Sequence, residues 1–170
     1  MYNYDPGRHK FSRDMSKVAF DKIYAPVLGA VNIERTDCDP GGPTDPDLRG
    51  TDVVLTLSTG RRITVAERFR HAGYIVYDDV TIRYSSLVTG RKLEIVGLNA
   101  QYMLYAVANE EEDDFLRWDL LYAARLLEVA EAFIAPLRSN VNGSSKFLAI
   151  PRRLLFKMGA IVKSSERQIA

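Results

Sequence analysis

DVVLTLSTGRRITVAERFR, residues 52–70, is the stretch of this chain that decides its fold. Residues 52–57 and 62–69 have the composition of two β-strands, rich in valine, isoleucine, threonine and leucine. The intervening sequence Ser58-Thr59-Gly60-Arg61 is a strong hairpin signal. The stretch therefore predicts two antiparallel strands that pair as a hairpin.

The length of the hairpin connection determines which side chains meet. A connection of two residues (59–60) or four (58–61) pairs residues whose numbers sum to 119, so that Asp52 faces Glu67. Directly paired side chains lie on one face with Cβ atoms roughly 4.5–5.5 Å apart. A three-residue connection shifts the sum to 118 and places Glu67 opposite Thr51. The first register brings two carboxylates together at the open end of the hairpin.

Two facing carboxylates need compensation by a cation, an arginine or a proton. Mg²⁺ prefers oxygen ligands, including one or two carboxylates, and a metal held this way activates water and stabilises charge on a phosphoryl group. Asp52 and Glu67 are therefore candidate ligands of Mg²⁺ or Mn²⁺. The alternative is that Arg62, Arg68 or Arg70 balances Glu67 at a solvated sheet edge.

A family resemblance supports the metal interpretation. Residues 47–57, DLRGTDVVLTL, are followed by a turn with Gly60 and by residues 63–70, ITVAERFR. This pattern resembles the core of the PD-(D/E)XK phosphodiesterases, in which an aspartate begins one strand and an acidic-x-lysine motif lies on the next. The resemblance spans roughly residues 13–160 in the order of elements, but only about 25 residues in motif.

The resemblance implies a restriction-endonuclease-like fold and divalent-metal-dependent cleavage of DNA, as in the small nucleases encoded by phages and mobile elements. It assigns Asp52 and Glu67 as metal ligands, with Glu34 as an additional acidic ligand. Arg68 or Arg70 would then contact the scissile phosphate. The cofactor it implies is Mg²⁺ or Mn²⁺.

The chain departs from the family motif at the lysine. Phe69 stands two residues after Glu67, and arginine is a poor general base because it does not readily lose a proton. If Arg68 instead takes the lysine position, Ala66 takes the acidic one and a ligand is missing. That alignment predicts an inactive relative that binds nucleic acid or a larger protein assembly. The literal pair Pro46-Asp47 is a second candidate for the family aspartate.

The remaining sequence predicts a single α/β domain over residues 1–170, with a small mixed central sheet flanked by helices. Residues 13–25 have helical periodicity, which Pro26 should end or kink, and the prolines and glycines of residues 37–50 predict a long loop. Further elements are expected in this order: strands at 80–84, 93–96 and 98–107, a long helix at 117–135, a loop at 140–145, a strand at 147–150 and a basic helix at 152–158.

Charge is unevenly distributed although the formal net charge is only +1. Residues 110–114 form an unbroken acidic run, whereas the C-terminal segment 138–170 is basic. We expect Lys146, Arg152, Arg153 and Lys157 to hold a nucleic-acid backbone; the alternative is that these charges are solvated surface. The expected partners are DNA and a second copy or a larger protein complex.

Cysteine and hydropathy patterns limit the remaining options. Cys38 is the only cysteine and there are two histidines, which excludes an internal disulfide and leaves carboxylates to hold any metal. The apolar runs are shorter than the roughly 20 residues that cross a bilayer, and the polar start has no signal-peptide core. We therefore expect a cytoplasmic protein without a membrane partner.

Overall fold

The structure is a computed structural model that describes residues 6–38, 42–43, 50–86, 90, 97–133, 138–142 and 145–166. The strands, in chain order, are β1 (Ala30–Arg35), β2 (Asp37–Cys38), β3 (Gly42–Pro43), β4 (Val53–Leu57), β5 (Arg62–Arg70), β6 (Asp79–Ser86), β7 (Tyr102–Ala108), β8 (Phe115–Tyr122), β9 (Arg138–Asn142), β10 (Ser145–Pro151) and β11 (Ile161–Ser164). The helices are α1 (Pro6–Ala19), α2 (Ala25–Leu28), α3 (Ala123–Phe133) and α4 (Arg152–Lys157), with a π-helical turn at Phe20–Tyr24 and a 3-10 helix at Ala72–Val76.

The chain has an α/β fold built on a mixed six-stranded sheet in the order β1-β4-β5-β7-β8-β11. Strands β5 and β7 are parallel, and the other neighbours are antiparallel. This confirms the predicted class and the mixed central sheet. A second sheet, β6-β10-β9, was not predicted. In the part of the chain that the structure describes, no helix is long and apolar enough to cross a membrane.

The main sheet carries one hydrophobic core on each face. On the face covered by α1, the buried side chains include Met15, Ile23, Val53, Leu55 and Leu104. On the other face, they include Ile82, Met103, Leu126, Leu148 and Ile150. Fully burying each such side chain contributes about 1.5–3 kcal/mol. The two cores fix β5 rigidly between α1 and the second sheet.

The first helix is longer than the predicted 13–25. It begins at Pro6, passes through the π-helical turn and continues through α2, which ends at Gly29 with a φ of 70°. Pro26 does not end it, because the wider π-helical turn Phe20–Tyr24 lies just before this proline and already interrupts the i→i−4 hydrogen bonds that the proline would disturb. Gly29 ends the helix, since its left-handed conformation is readily adopted only without a Cβ.

The predicted long helix 117–135 is wrong in its first third. Residues Phe115–Tyr122 form strand β8, and α3 begins only at Ala123. Strand β8 lies between β7 and β11 and buries side chains on both faces, including Leu120 and Leu121. A strand covered on both faces has no simple alternation of apolar and polar residues, so periodicity alone does not separate it from a helix.

Other boundaries also differ from the prediction. The expected loop 37–50 contains the paired strands β2 and β3, while its residues 39–41 and 44–49 lie outside the described residues. The expected loop 140–145 contributes to β9 and β10, which pair with each other. Strand 98–107 begins only at Tyr102, strand 80–84 is confirmed within β6, and the predicted strand 93–96 lies outside the described residues. The strand 147–150 and the basic helix 152–158 are confirmed within β10 and α4.

Candidate functional site

The β4–β5 hairpin has the three-residue register. Val53 pairs with Val65 and Thr56 with Arg62, so paired numbers sum to 118. The Leu57 amide donates to the Arg61 carbonyl at 2.8 Å and closes a connection of residues 58–60. Gly60, with a φ of 82°, supplies the left-handed residue that such a connection requires. The expected direct pairing of Asp52 with Glu67 is therefore wrong.

The Asp52 side chain nevertheless contacts Glu67, at the main-chain amide of Glu67. Its Oδ2 accepts a hydrogen bond from the Glu67 amide at 2.6 Å. The Asp52 amide donates to the Val65 carbonyl, and its carbonyl accepts from the Thr36 amide, both at 3.0 Å. These bonds hold Asp52 at the mouth of the sheet, where its negative charge acts on Glu67.

The Glu67 carboxylate is buried beneath α1 and β1. Its Oε1 accepts hydrogen bonds from Ser16 Oγ at 3.0 Å and from the Tyr24 hydroxyl at 2.9 Å. Its Oε2 accepts from an Arg35 guanidinium nitrogen at 3.2 Å. The Glu67 side chain is only 3% exposed. We call Ser16, Tyr24, Arg35, Asp52 and Glu67 the Glu67 cluster.

Burial dominates the electrostatics of this cluster. It raises the pKa of Glu67 to about 7; the guanidinium of Arg35 opposes this rise and the Asp52 carboxylate adds to it. The pKa of Tyr24 is raised well above its ordinary value, first by burial and then by the negative charge of Glu67. Glu67 therefore exchanges its proton near neutral pH, while Tyr24 remains a hydrogen-bond donor.

The predicted metal ligands do not form a cation site in this arrangement. Both Glu67 oxygens already accept hydrogen bonds, and the cation that compensates them is Arg35. Glu34 follows the opposite face of β1, because neighbouring strand residues alternate, and its carboxylate pairs with Arg62 at 2.7 Å. Glu34 is thus not brought to Asp52 and Glu67, and this donor set does not fit Mg²⁺ or Mn²⁺ as arranged. The second aspartate candidate, Asp47, lies outside the described residues.

The opposite face of β5 carries Arg68 and Arg70. The Arg70 Nε donates to the Tyr105 hydroxyl at 3.4 Å, and another of its nitrogens donates to Thr81 Oγ1. The Arg70 guanidinium also lies 5.3 Å from the centre of the Tyr74 ring. These contacts orient Arg70 between the main sheet and β6.

Arg83 belongs to the same region. It lies two residues after Thr81 on β6, on the strand face that meets Arg70. Burial, followed by the positive charges of Arg70 and Arg83, lowers the pKa of Arg68 to about 9 against an opposing effect of Asp52. We call Arg68, Arg70 and Arg83 the arginine cluster. A bound anion would reduce the electrostatic repulsion among these three cations.

The structure contradicts a phosphate-binding surface role for Arg152. This residue is 4% exposed, and its guanidinium donates to both Asp119 oxygens at 2.6 and 2.9 Å. It also contacts Asp78 at 3.0 Å and Glu166 at 2.6 Å. Burial lowers the pKa of Arg152, but the hydrogen bonds and negative charges of Asp119, Glu166 and Asp78 together outweigh it, so the net shift is upward. Arg152 is a structural cation that joins β8 to the C-terminal segment.

The other three residues that were predicted to hold a nucleic-acid backbone lie at the protein surface or near it. Arg153 and Lys157 are exposed and lie four residues apart on α4, whereas Lys146 is partly buried with its Nζ 5.8 Å from the Tyr84 ring centre. Sequence reasoning missed Arg35 and Arg83. Arg83 lies between Ile82 and Tyr84 on β6, a signal that marks the face opposite to the apolar one but not the partner it meets, whereas Arg35 follows Glu34 on β1 and carries no such signal.

In comparisons with known proteins, no family model, no curated protein and no solved structure matches this chain. The two clusters on either side of β5 are the structural features of this chain that bear on its function. The resemblance to PD-(D/E)XK enzymes stays a prediction from the sequence.

Proposed function

We propose that this chain binds nucleic acid through the arginine cluster, as a PD-(D/E)XK-like domain that does not cleave it. The observation that carries the proposal is the grouping of Arg68, Arg70 and Arg83 on one side of β5 and β6. The restriction-endonuclease-like fold is part of the same proposal. Its support is that a helix precedes the sheet, Asp52 precedes β4 and Glu67 lies on β5.

Phosphate is the ligand whose chemistry matches the cluster. A guanidinium group is planar, always charged near neutral pH and presents five donors that match phosphate oxygens in pairs. Arg70 is already oriented by Tyr105, Thr81 and Tyr74, so less conformational entropy is lost when it binds. Exposed Arg153 and Lys157 on α4 would add salt-dependent affinity for a long polyanion.

The chemistry of the Glu67 cluster argues against cleavage. Arg35 neutralises Glu67, and the position of the family lysine is held by Phe69, which is 9% exposed and packed in the core. Arg68 and Arg70 lie on the face of β5 opposite Glu67, so neither side chain stands beside the Glu67 carboxylate as a general base. The cluster therefore works as a buried polar link between α1, β1 and β5.

Fluorescence anisotropy of labelled single-stranded and duplex DNA, in low salt with EDTA, tests the proposal. We expect binding without divalent ions, and we expect Arg83→Ala and Arg70→Ala each to weaken it about tenfold through loss of charged hydrogen bonds. Arg61→Ala is the matched control, because Arg61 is exposed and precedes β5, roughly 30 Å along the strand from Arg70. Absence of binding at low salt, or equal effects of Arg83→Ala and Arg61→Ala, would contradict the proposal.

A metal-dependent nuclease is the second candidate function. It is favoured by the Asp52 carboxylate, which lies against the Glu67 main chain and helps to raise the Glu67 pKa. Cleavage would require Arg35 to leave Glu67. Incubation of plasmid and single-stranded DNA with Mg²⁺ or Mn²⁺ decides between the two: cleavage abolished by Glu67→Gln supports the nuclease, and intact DNA under conditions of measured binding supports the non-catalytic proposal.

A further inference from the structure

Four successive large hydrophobic residues are exposed beside the arginine cluster. Tyr74 is 43% exposed, Ile75 36%, Val76 75% and Tyr77 56%. They belong to the 3-10 helix Ala72–Val76 and to the residue that follows it. We call these four residues the 74–77 segment. Consecutive exposed apolar and aromatic residues of this kind mark an interaction surface.

The segment is held firmly in this exposed position. The buried Arg117 donates to the Tyr77 carbonyl at 2.6 Å, and the Tyr77 amide donates to the Tyr74 carbonyl at 3.1 Å. At the other end, the Tyr74 amide donates to the His71 carbonyl at 3.0 Å, and Ala72 is buried. The main chain of the segment is therefore anchored to the core through Arg117 and Ala72.

The segment adjoins the arginine cluster directly. The guanidinium of Arg70 lies 5.3 Å from the Tyr74 ring centre and 5.8 Å from that of Tyr105. The Tyr74 and Tyr77 ring centres are 6.1 Å apart, and their planes are inclined at 51°. Two exposed aromatic rings thus lie next to cations that suit a phosphate backbone.

We infer that the 74–77 segment is a base-stacking platform for single-stranded nucleic acid whose backbone follows the arginine cluster; this inference rests on the proposed function. Aromatic side chains beside a cationic track are the combination that binds single strands, because every base has a face that stacks. The bases of a duplex are already stacked on each other and do not offer their faces. The charge of the cluster favours this polyanion over a neutral partner protein.

An oligothymidylate and an abasic strand of equal length test the inference, since they share the phosphate charge and differ only in bases. With labelled strands of about 12 nucleotides, we expect wild-type protein to prefer the oligothymidylate about tenfold. Tyr77→Ala should reduce that preference severalfold while leaving affinity for the abasic strand unchanged. Tyr74→Phe should keep the preference, because it keeps the ring.

Tyr122→Ala is the matched control, because Tyr122 is 47% exposed and stacks on Tyr102, which packs against the core on the α1 face. Tyr77→Ala is the principal variant because Arg70 packs on Tyr74, so that Tyr74→Ala also disturbs a phosphate contact. Circular dichroism and thermal unfolding establish that each variant is folded. If Tyr77→Ala does not fold, Tyr77→Leu takes its place, since leucine retains apolar bulk without an aromatic face.

The outcomes separate the platform from the proposed function. Equal, salt-dependent affinity of the wild type for both strands overturns the platform and leaves nucleic-acid binding intact. Binding of neither strand at low salt overturns both. An equal loss of affinity for both strands in Tyr77→Ala also overturns the platform, since it would show that the segment acts on the phosphate contacts. Unchanged binding in every tyrosine variant would likewise overturn the platform.

Discussion

The guanidinium of Arg35 lies 3.2 Å from Glu67 Oε2, at the mouth of the sheet where the sequence predicts a metal ion. The arginine supplies the positive charge that two neighbouring carboxylates need. Because Ser16 and Tyr24 take up the other Glu67 oxygen, the carboxylate is bonded on both sides within the fold. Glu67 is therefore a structural residue, and its protonation state changes near neutral pH.

The first prediction concerns pH and stability. The folded-state pKa of Glu67 is about 7, against an ordinary value of 4.5, so the folded chain holds this proton more tightly than the unfolded chain. The resulting stability is complete below about pH 4.5 and is lost as the pH rises through about 7. Glu67→Gln removes this dependence. When urea unfolding is measured from about pH 4 to about pH 8, the free energy of unfolding of the variant should rise by up to about 3 kcal/mol relative to that of wild type.

Other titrating groups are common to both proteins and cancel in this difference. A difference between Glu67→Gln and wild type that stays constant with pH would contradict the buried, raised pKa. A difference that changes with the opposite sign would contradict it as well.

The second prediction concerns Arg35→Ala. Near pH 8 this change leaves an ionised carboxylate buried beside Asp52 and should destabilise the fold by about 3 kcal/mol. Near pH 5 Glu67 is protonated, so the cost should be clearly smaller. Arg62→Ala is the control: its pair with Glu34 is more than half exposed and should contribute at most about 1 kcal/mol at either pH. Equal costs of Arg35→Ala at both pH values would refute this interpretation.

The third prediction concerns the buried pair of Arg152 and Asp119. Asp119→Asn keeps the side-chain volume but removes the negative charge against which Arg152 is buried. We expect a loss of about 3 kcal/mol or more in the free energy of unfolding. The exposed pair of Arg125 and Glu128 provides the comparison, and Glu128→Gln should cost less than about 1 kcal/mol. Similar costs for the two substitutions would show that Arg152 is not a structural cation.

The fourth prediction concerns Gly50, which leads the chain into Thr51 and Asp52. Gly50 has a φ of 71°, and a Cβ there would lie 2.7 Å from the Gly97 carbonyl oxygen. Gly50→Ala should destabilise the fold by about 2 kcal/mol or more, because both the conformation and the space oppose it. Gly60→Ala shares the positive φ but meets nothing within 4 Å, so it should cost about 1 kcal/mol. Thermal unfolding of the two variants gives the comparison.

The sequence predicts the centre of the fold better than its edges. The β4–β5 hairpin and the mixed α/β class follow from local composition and turn residues. The main prediction of the hairpin register was wrong, because the turn residues allow more than one connection length and each change of length shifts every pair of facing residues. Strand β8 was missed because both of its faces are buried, and β9 because its turn-forming residues obscure a strand that pairs with β10.

The candidate site was predictable only in part. Glu67 and Asp52 do lie close together, but the direction of a carboxylate within a cluster depends on long-range partners. Arg35 lies on β1 and contacts Glu67 across β4. The two residues are 32 positions apart in sequence, and that spacing does not predict the contact. The same holds for Arg152, whose burial depends on its bonds to Asp119 on β8, 33 residues away in sequence.

The central claim is that the arginine cluster holds a phosphate backbone. The most direct measurement is the affinity for labelled single-stranded DNA in EDTA over a series of KCl concentrations, for wild type and Arg83→Ala. We expect log affinity to fall linearly with log salt concentration and the magnitude of the slope to be smaller by about 1 in Arg83→Ala, while Arg61→Ala keeps the wild-type slope. A slope that is unchanged in Arg83→Ala, or binding that does not respond to salt, would contradict it.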